Sequence, residues 1–374
     1  MDSDLQIENI GQQNTISSVF PRKSNGKTNE DSPRNMKPQS DAELFDSYQL
    51  FGNHETQMSE GGEADLHRCL IDCTKHPGHS QFIPVGDFSL NHLPEGHRDV
   101  ELYRLVKALA DLTVRVDVRM TSPRRPEYWP NTEALYPFYS MRNSLNLRTG
   151  TGIVSDVNKF TDGYSDRLYG GQHDLDYVRC WCEKCQGSDS PSDVWWEIVV
   201  YTATHVVYDD IEGGYTSLRL FYDKERSPVV TIDKVSVEDA DVRRDWCKLK
   251  YVTCDRNIGD KLKKMFIHCH DIRKKVYDKY RSFRDVDKLT FIVSHPHGCS
   301  KQISIGQWRD RLLVGERYSK FTYTTCTCPG SSGASVYCVG FTSFIGYSCG
   351  WLYQLVHSGS LNSELNFSGA SYVE

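Results

Sequence analysis

The sequence predicts an all-β protein made of two antiparallel β-barrels. From Val114 onward the chain reads as about a dozen short apolar or alternating runs, each bounded by Gly, Pro, Asp or Ser. One stretch alone, Ile258–Tyr280, has helical spacing, and it divides these runs into two sets. Aromatic residues make up 11% of the chain, with 21 Tyr and 7 Trp, a usage that suits sheets better than helix bundles. Strands do not alternate with long helices, so a doubly wound parallel arrangement is not expected.

Residues 1–63 are rich in Asn, Ser, Gln, Asp, Glu and Lys. They read as a disordered tail, too polar to offset the entropy of ordering it. Two small apolar clusters in it, Ile16–Phe20 and Leu44–Leu50, could dock protein partners. Residues 64–111 read as a helical extension. Leu102, Leu105, Val106 and Leu109 fall at i, i+3, i+4 and i+7, which predicts a short amphipathic helix over 98–110. At Val114, Val116 and Val118 the period drops to two, with Arg115 and Asp117 between them, and a strand is expected. The remaining domain, 112–374, divides into barrel 1 over about 112–255, a connector over about 256–285 and barrel 2 over about 286–374. Expected strands are Leu145–Leu147, Thr151–Val157, Val194–Thr202, Tyr215–Phe221, Val229–Val237 and Lys248–Val252 in the first half. In the second half they are Leu289–Val293, Gln302–Ile305, Lys320–Thr325, Ser335–Val339, Phe341–Gly346 and Leu352–His357.

Composition excludes some functions. The 374 residues carry 44 Lys and Arg against 50 Asp and Glu, a net charge of −6 that argues against nucleic acid as the main partner. The basic runs Lys261–Lys264 and Arg273–Arg281 are interrupted by Asp271 and Asp278 and read as a solvated connector. No 18-residue apolar run is present, so no membrane span is expected. The start, MDSDLQIENI, lacks a basic region followed by an apolar one, so the expected site is intracellular, in the cytoplasm. The 13 cysteines are then expected to be reduced thiols.

Three short motifs carry chemistry. In Cys328-Pro329-Gly330-Ser331-Ser332-Gly333, glycines flank a serine pair before an apolar strand. Such a turn lets a carbonyl approach the Gly330 and Ser332 amides, although it is also a common turn. In Thr202-Ala203-Thr204-His205, a histidine follows an apolar strand; it could shuttle a proton or simply be structural. In Asp245-Trp246-Cys247-Lys248-Leu249, an aspartate precedes an alternating strand, as orienting carboxylate or as cap.

Together, in the order His205, Asp245, Ser332, these motifs resemble the trypsin/chymotrypsin-like serine peptidase superfamily, from about Thr113 to the C-terminus. Gly150-Thr151-Gly152-Ile153-Val154 resembles its strand before the histidine, and His295-Pro296-His297-Gly298 the turn at the start of its second barrel. The resemblance implies two six-stranded barrels and a serine endopeptidase acting on polypeptides without a required cofactor. It implies His205, Asp245 and Ser332 as catalytic residues and the Gly330 and Ser332 amides as oxyanion hole. It also implies a substrate pocket formed by Cys326, His357, Ser358 and Gly359. Cys326, six residues before Ser332, offers no carboxylate for a basic side chain, whereas His357 resembles the histidine of relatives that prefer Gln or Glu. Ser331 departs from the aspartate that activation by N-terminal cleavage requires, so no such activation is expected. A catalytically silent binding module is the competing reading.

Three groups of cysteine and histidine could hold metal. Cys180, Cys182 and Cys185 form C-x-C-x2-C, a candidate structural zinc site if a fourth ligand arrives from elsewhere. Some viral relatives tie their barrels with such a zinc. Cys69 and Cys73, with His67, His76 and His79 nearby, could contribute another, although C-x3-C is a poor match. His268, Cys269 and His270 form a third compact group.

Overall fold

The computed structural model describes residues 52–166, 178–342 and 355–373. Its strands, in chain order, are β1 (Asn53–His54), β2 (Gln57–Ser59), β3 (Ile83–Pro84), β4 (Thr113–Val118), β5 (Leu147–Thr161), β6 (Tyr164–Ser165), β7 (Val194–Thr202), β8 (Thr216–Leu220) and β9 (Val230–Asp233). Then follow β10 (Ser236–Asp241), β11 (Trp246–Thr253), β12 (Leu289–Ser294), β13 (Gln302–Val314), β14 (Tyr318–Tyr323), β15 (Val336–Cys338), β16 (His357–Ser360) and β17 (Asn366–Ser368). The longer helices are α1 (Glu63–Ile71), α2 (Val100–Leu112) and α3 (Arg256–Tyr280).

Two sheets result, with antiparallel pairing throughout. The first runs β10-β11-β7-β5-β4-β8-β9, with β2 and β6 also on β5; the second runs β1-β16-β17-β14-β13-β12-β15, with β3 on β13. Among the described residues they hold nine and eight strands, more than the six expected of each. Part of the excess is the N-terminal segment, which adds β1, β2 and β3 to three different strands.

That addition corrects the reading of residues 1–63 as one tail. Residues 52–63 hold β1, β2 and the start of α1. Strand addition is driven by main-chain hydrogen bonds, so a polar segment can dock without an apolar pattern. Residues 1–51, with both apolar clusters, lie outside the described residues.

Local rules account for most elements. Asp99 caps α2 by accepting from the Glu101 amide at 2.9 Å, and Leu102, Leu105, Val106 and Leu109 are buried on one face. Asp255 caps α3, whose buried face of Leu262, Phe266, Cys269, Ile272 and Val276 packs on α2 and β5. The main core joins both helices to strands of both sheets. In β4 the alternation misleads, because Arg115 and Asp117 are buried too. They satisfy each other at 2.7 Å, and Glu63 on α1 takes the rest of the guanidinium at 2.9 and 3.0 Å.

Other expectations shift. The run Val229–Val237 splits into β9 and β10, with Lys234 left-handed between them (φ 57°). Leu145 is exposed, and β5 begins at Leu147. Phe341 and Thr342 form no strand, and 343–354 lie outside the described residues. The connector is less solvated than expected: Lys263 is buried and donates to the Val157 carbonyl (2.8 Å), and Arg273 is buried against Tyr337. Among the described residues no helix is long and apolar enough to cross a membrane.

Candidate active site

Strand register brings the first two candidate residues together. β7 pairs with β11 so that Thr202 faces Cys247. His205 lies just past the end of β7 and Asp245 just before the start of β11, so both emerge at the same edge. His205 Nδ1 lies 2.8 Å from Asp245 Oδ2. The Asp245 carboxylate also accepts from the His205 amide (3.2 Å), the Thr204 hydroxyl (2.9 Å) and the Ser358 hydroxyl. Burial would raise its carboxyl, but His205, Ser358 and Thr204 together outweigh burial and hold it below its ordinary value.

Ser332 arrives from the second sheet, on the turn before β15. Gly330 and Gly333 are left-handed there (φ 98° and 83°), and a Cβ on Gly330 would come within 2.7 Å of the His297 amide nitrogen. The turn is fastened to the first sheet through Thr151. Its amide donates to the Ser332 carbonyl and its hydroxyl to the Gly330 carbonyl, both at 2.8 Å. This seats Ser332 Oγ 2.7 Å from His205 Nε2. All three side chains are buried. The chain Asp245–His205–Ser332 can therefore move a proton from hydroxyl to imidazole while the carboxylate holds the ring.

The site also contains a peptide segment of the protein itself. The Glu55 carbonyl accepts from the amides of Gly330 (2.6 Å) and Ser332 (3.2 Å), and the Glu55 amide donates to Ser332 Oγ (3.0 Å). Before it, Asn53 and His54 pair with Ser360 and Gly359 on β16. After it, Gln57–Ser59 pair with β5. The Glu55 carboxylate is buried against His357, whose Nε2 is 2.7 Å from Oε2, and forms an ion pair with Lys75. His357 is held at Nδ1 by the Tyr323 hydroxyl (2.6 Å). Lys75 also donates to Asn366 (3.1 Å) and Thr327 (3.3 Å). Burial pushes the Glu55 carboxyl up, but His357 and Lys75 pull it down to about 2.

The candidate pocket residues thus separate. His357 meets the glutamate, and Gly359 faces His54 along the backbone. The Ser358 hydroxyl turns to Asp245. The Cys326 thiol turns to Gln81, within a small cluster that includes Cys73, Phe82 and Cys328. Sequence reasoning missed Glu55 and Lys75, which carry no local pattern.

Cysteine geometry is also informative. Cys180, Cys182 and Cys185 meet Cys254, and their four sulfurs lie within 4.8 Å of one another. Cys254 Sγ is 3.7 Å from Cys182 Sγ and 3.8 Å from Cys185 Sγ. Tetrahedral zinc with Zn–S of about 2.3 Å needs sulfurs about 3.8 Å apart, so this donor set fits zinc. His268, Cys269 and His270 form no such cluster among the described residues.

No protein-family profile matches the sequence, and no curated protein does. Solved structures do match. The active form of the Rv3671c protease from M. tuberculosis is 12% identical, the match covering 71% of this chain and 78% of that one, with a TM-score of 0.31. AlgW, an HtrA-type protease solved with a tripeptide, is 10% identical over 72% of this chain and 60% of its own, with a TM-score of 0.31. A variant of AlgW with a decapeptide is 10% identical over 71% and 61%, with a TM-score of 0.33. The match thus spans about three fifths of the AlgW chain.

Proposed function

We propose that the two sheets are the two barrels of a trypsin-like serine endopeptidase, widened by N-terminal strands, and that the enzyme prefers an acidic residue before the scissile bond. One observation carries this reading: a peptide carbonyl rests on the Gly330 and Ser332 amides beside a hydroxyl that is 2.7 Å from an aspartate-held imidazole. Ser332 attacks the substrate carbonyl, and His205 takes its proton and returns it to the leaving amine. Asp245 fixes the ring and stabilises its charged form. The two amides hold the oxyanion, and water then releases the acyl group. The buried contacts of Glu55 with His357 and Lys75 support acidic selectivity, since a neutral side chain there would leave Lys75 without its carboxylate. A structural zinc on Cys180, Cys182, Cys185 and Cys254 would brace the first sheet and take no part in the reaction.

The filled cleft favours a second reading, a silent binding module. Fluorophosphonate labelling and hydrolysis of a Glu–Thr peptide separate the two. Wild type is expected to label and to cleave after Glu, and Ser332→Ala to do neither. Equal behaviour of the two proteins overturns the peptidase reading.

A further inference from the structure

The segment in the cleft is more than a plug. We propose that the chain cleaves its own Glu55–Thr56 bond, releasing residues 1–55 and leaving 56–374 as the working enzyme. This rests on the peptidase reading above. A segment that only blocks the cleft need not place a main-chain carbonyl on the two oxyanion amides, yet Glu55 does so, and the Glu55 amide donates to Ser332 Oγ. The chain is held on both sides of that bond, by β16 before it and by β5 after it, which aligns the carbonyl with the nucleophile. Glu55 itself fills the acid-binding pocket.

The step balances. Ser332 Oγ bonds to the Glu55 carbonyl carbon as its proton passes to His205. The bond to the Thr56 nitrogen breaks, and His205 protonates that amine. Water, deprotonated by His205, then attacks the ester, giving the Glu55 carboxylate and restoring Ser332. His357, Tyr323, Thr327, Asn366 and Lys75 all lie after the cut, so the pocket survives while its first occupant leaves. Self-cleavage therefore opens the site to other acidic substrates.

Intact mass and N-terminal sequencing test this on the full chain. The expected result is a fragment beginning at Thr56, absent from Ser332→Ala and slowed at least tenfold in Glu55→Gln. Its half-time should stay constant across a hundredfold dilution; a half-time that lengthens overturns the intramolecular route. Wild type that cleaves a Glu–Thr peptide yet keeps its own bond overturns the self-cleavage while leaving the peptidase standing. A chain inert toward both, and unlabelled by fluorophosphonate, overturns the two together.

A separate cluster carries a second inference. The geometry points to a zinc site formed by Cys73, His79, His297 and Cys328, whose ligand atoms lie within 4.8 Å of one another. Cys73 Sγ is 3.7 Å from Cys328 Sγ, close to the tetrahedral edge of about 3.8 Å that Zn–S bonds of about 2.3 Å impose. Cys328 Sγ is 3.6 Å from His79 Nε2. Gln57 takes His297 Nδ1 at 2.9 Å, which leaves Nε2, buried and without a hydrogen-bond partner, as the nitrogen open to a metal. The ion would tie the N-terminal extension to the turn bearing Gly330 and Ser332, since the His297 amide donates to the Pro329 carbonyl.

Elemental analysis of the purified chain should find two zinc ions per molecule, falling to one in His79→Gln and to one in Cys254→Ser. Wild-type content that His79→Gln leaves unchanged overturns this site. A Cys73–Cys328 disulfide in the mass spectrum overturns it as well. Cobalt(II) titration offers a reading on the folded wild type: thiolate charge-transfer bands from two sites support the proposal, and bands from the four-cysteine site alone overturn it.

Discussion

Asp245→Asn is expected to lower kcat about 10⁴-fold with little change in KM. The carboxylate accepts from His205 Nδ1, the His205 amide, Thr204 and Ser358, so every neighbour is a donor. Asparagine keeps one accepting oxygen and presents an NH2 to the others. If that NH2 faces the ring, Nδ1 must accept, the proton moves to Nε2, and His205 can no longer take the proton of Ser332. The rate loss corresponds to about 5.5 kcal/mol of transition-state stabilisation. In a chain that begins at Thr56, with the cleft unfilled, peptide binding should persist, because the contacts that His357 and Lys75 make to Glu55 do not involve Asp245. Single-turnover kinetics on a Glu–Thr peptide measure the loss, and a fall of less than tenfold would reduce Asp245 to a structural cap. Stability supplies a second readout. The folded carboxyl titrates below its ordinary value of 3.8, so its stabilisation is in place above that pH and is lost as pH falls through the folded value. The asparagine variant should lack that part of the acid sensitivity.

Some of this molecule was legible because local sequence determines it. β7 is an apolar run interrupted by Glu197 alone, and its bounds, Val194–Thr202, are those its residues suggest. The helix ending near 110 follows from four leucine and valine positions. His205, Asp245 and Ser332 stand out because each sits in a short motif at a strand end, where side chains can leave the sheet. Glu55 and Lys75 do not stand out, since their positions depend on which sheet edges capture a polar segment. Backbone pairing leaves no hydrophobic period behind. Cys254 was invisible for a related reason. It lies just past β11, and only the pairing of β11 with β7 brings it towards the C-x-C-x2-C loop. Buried charges were missed because charge reads as surface, as with Arg115, Lys263 and Arg273.

The largest such miss also supports the site. Glu212 is fully buried between Arg125 and Arg148. It accepts from Arg125 Nε (2.6 Å) and Nη2 (2.8 Å), from Arg148 Nη2 (2.9 Å), and from the amides of Ser122 (2.8 Å) and Tyr208 (2.9 Å). Arg125 in turn donates to the His205 carbonyl at 3.1 Å. Burial, and then repulsion from Arg125, pull Arg148 down to about 9, so its charge depends on Glu212. Glu212→Ala is therefore expected to destabilise the fold by about 3–5 kcal/mol, because it strands two cations out of water. Urea unfolding would measure this, and a loss under 1 kcal/mol would mean that water reaches the network. Replacing Arg148 by methionine in the same chain removes one stranded cation and should restore part of the loss. Turnover should fall even where the fold survives, since the backbone that carries His205 hangs from Arg125.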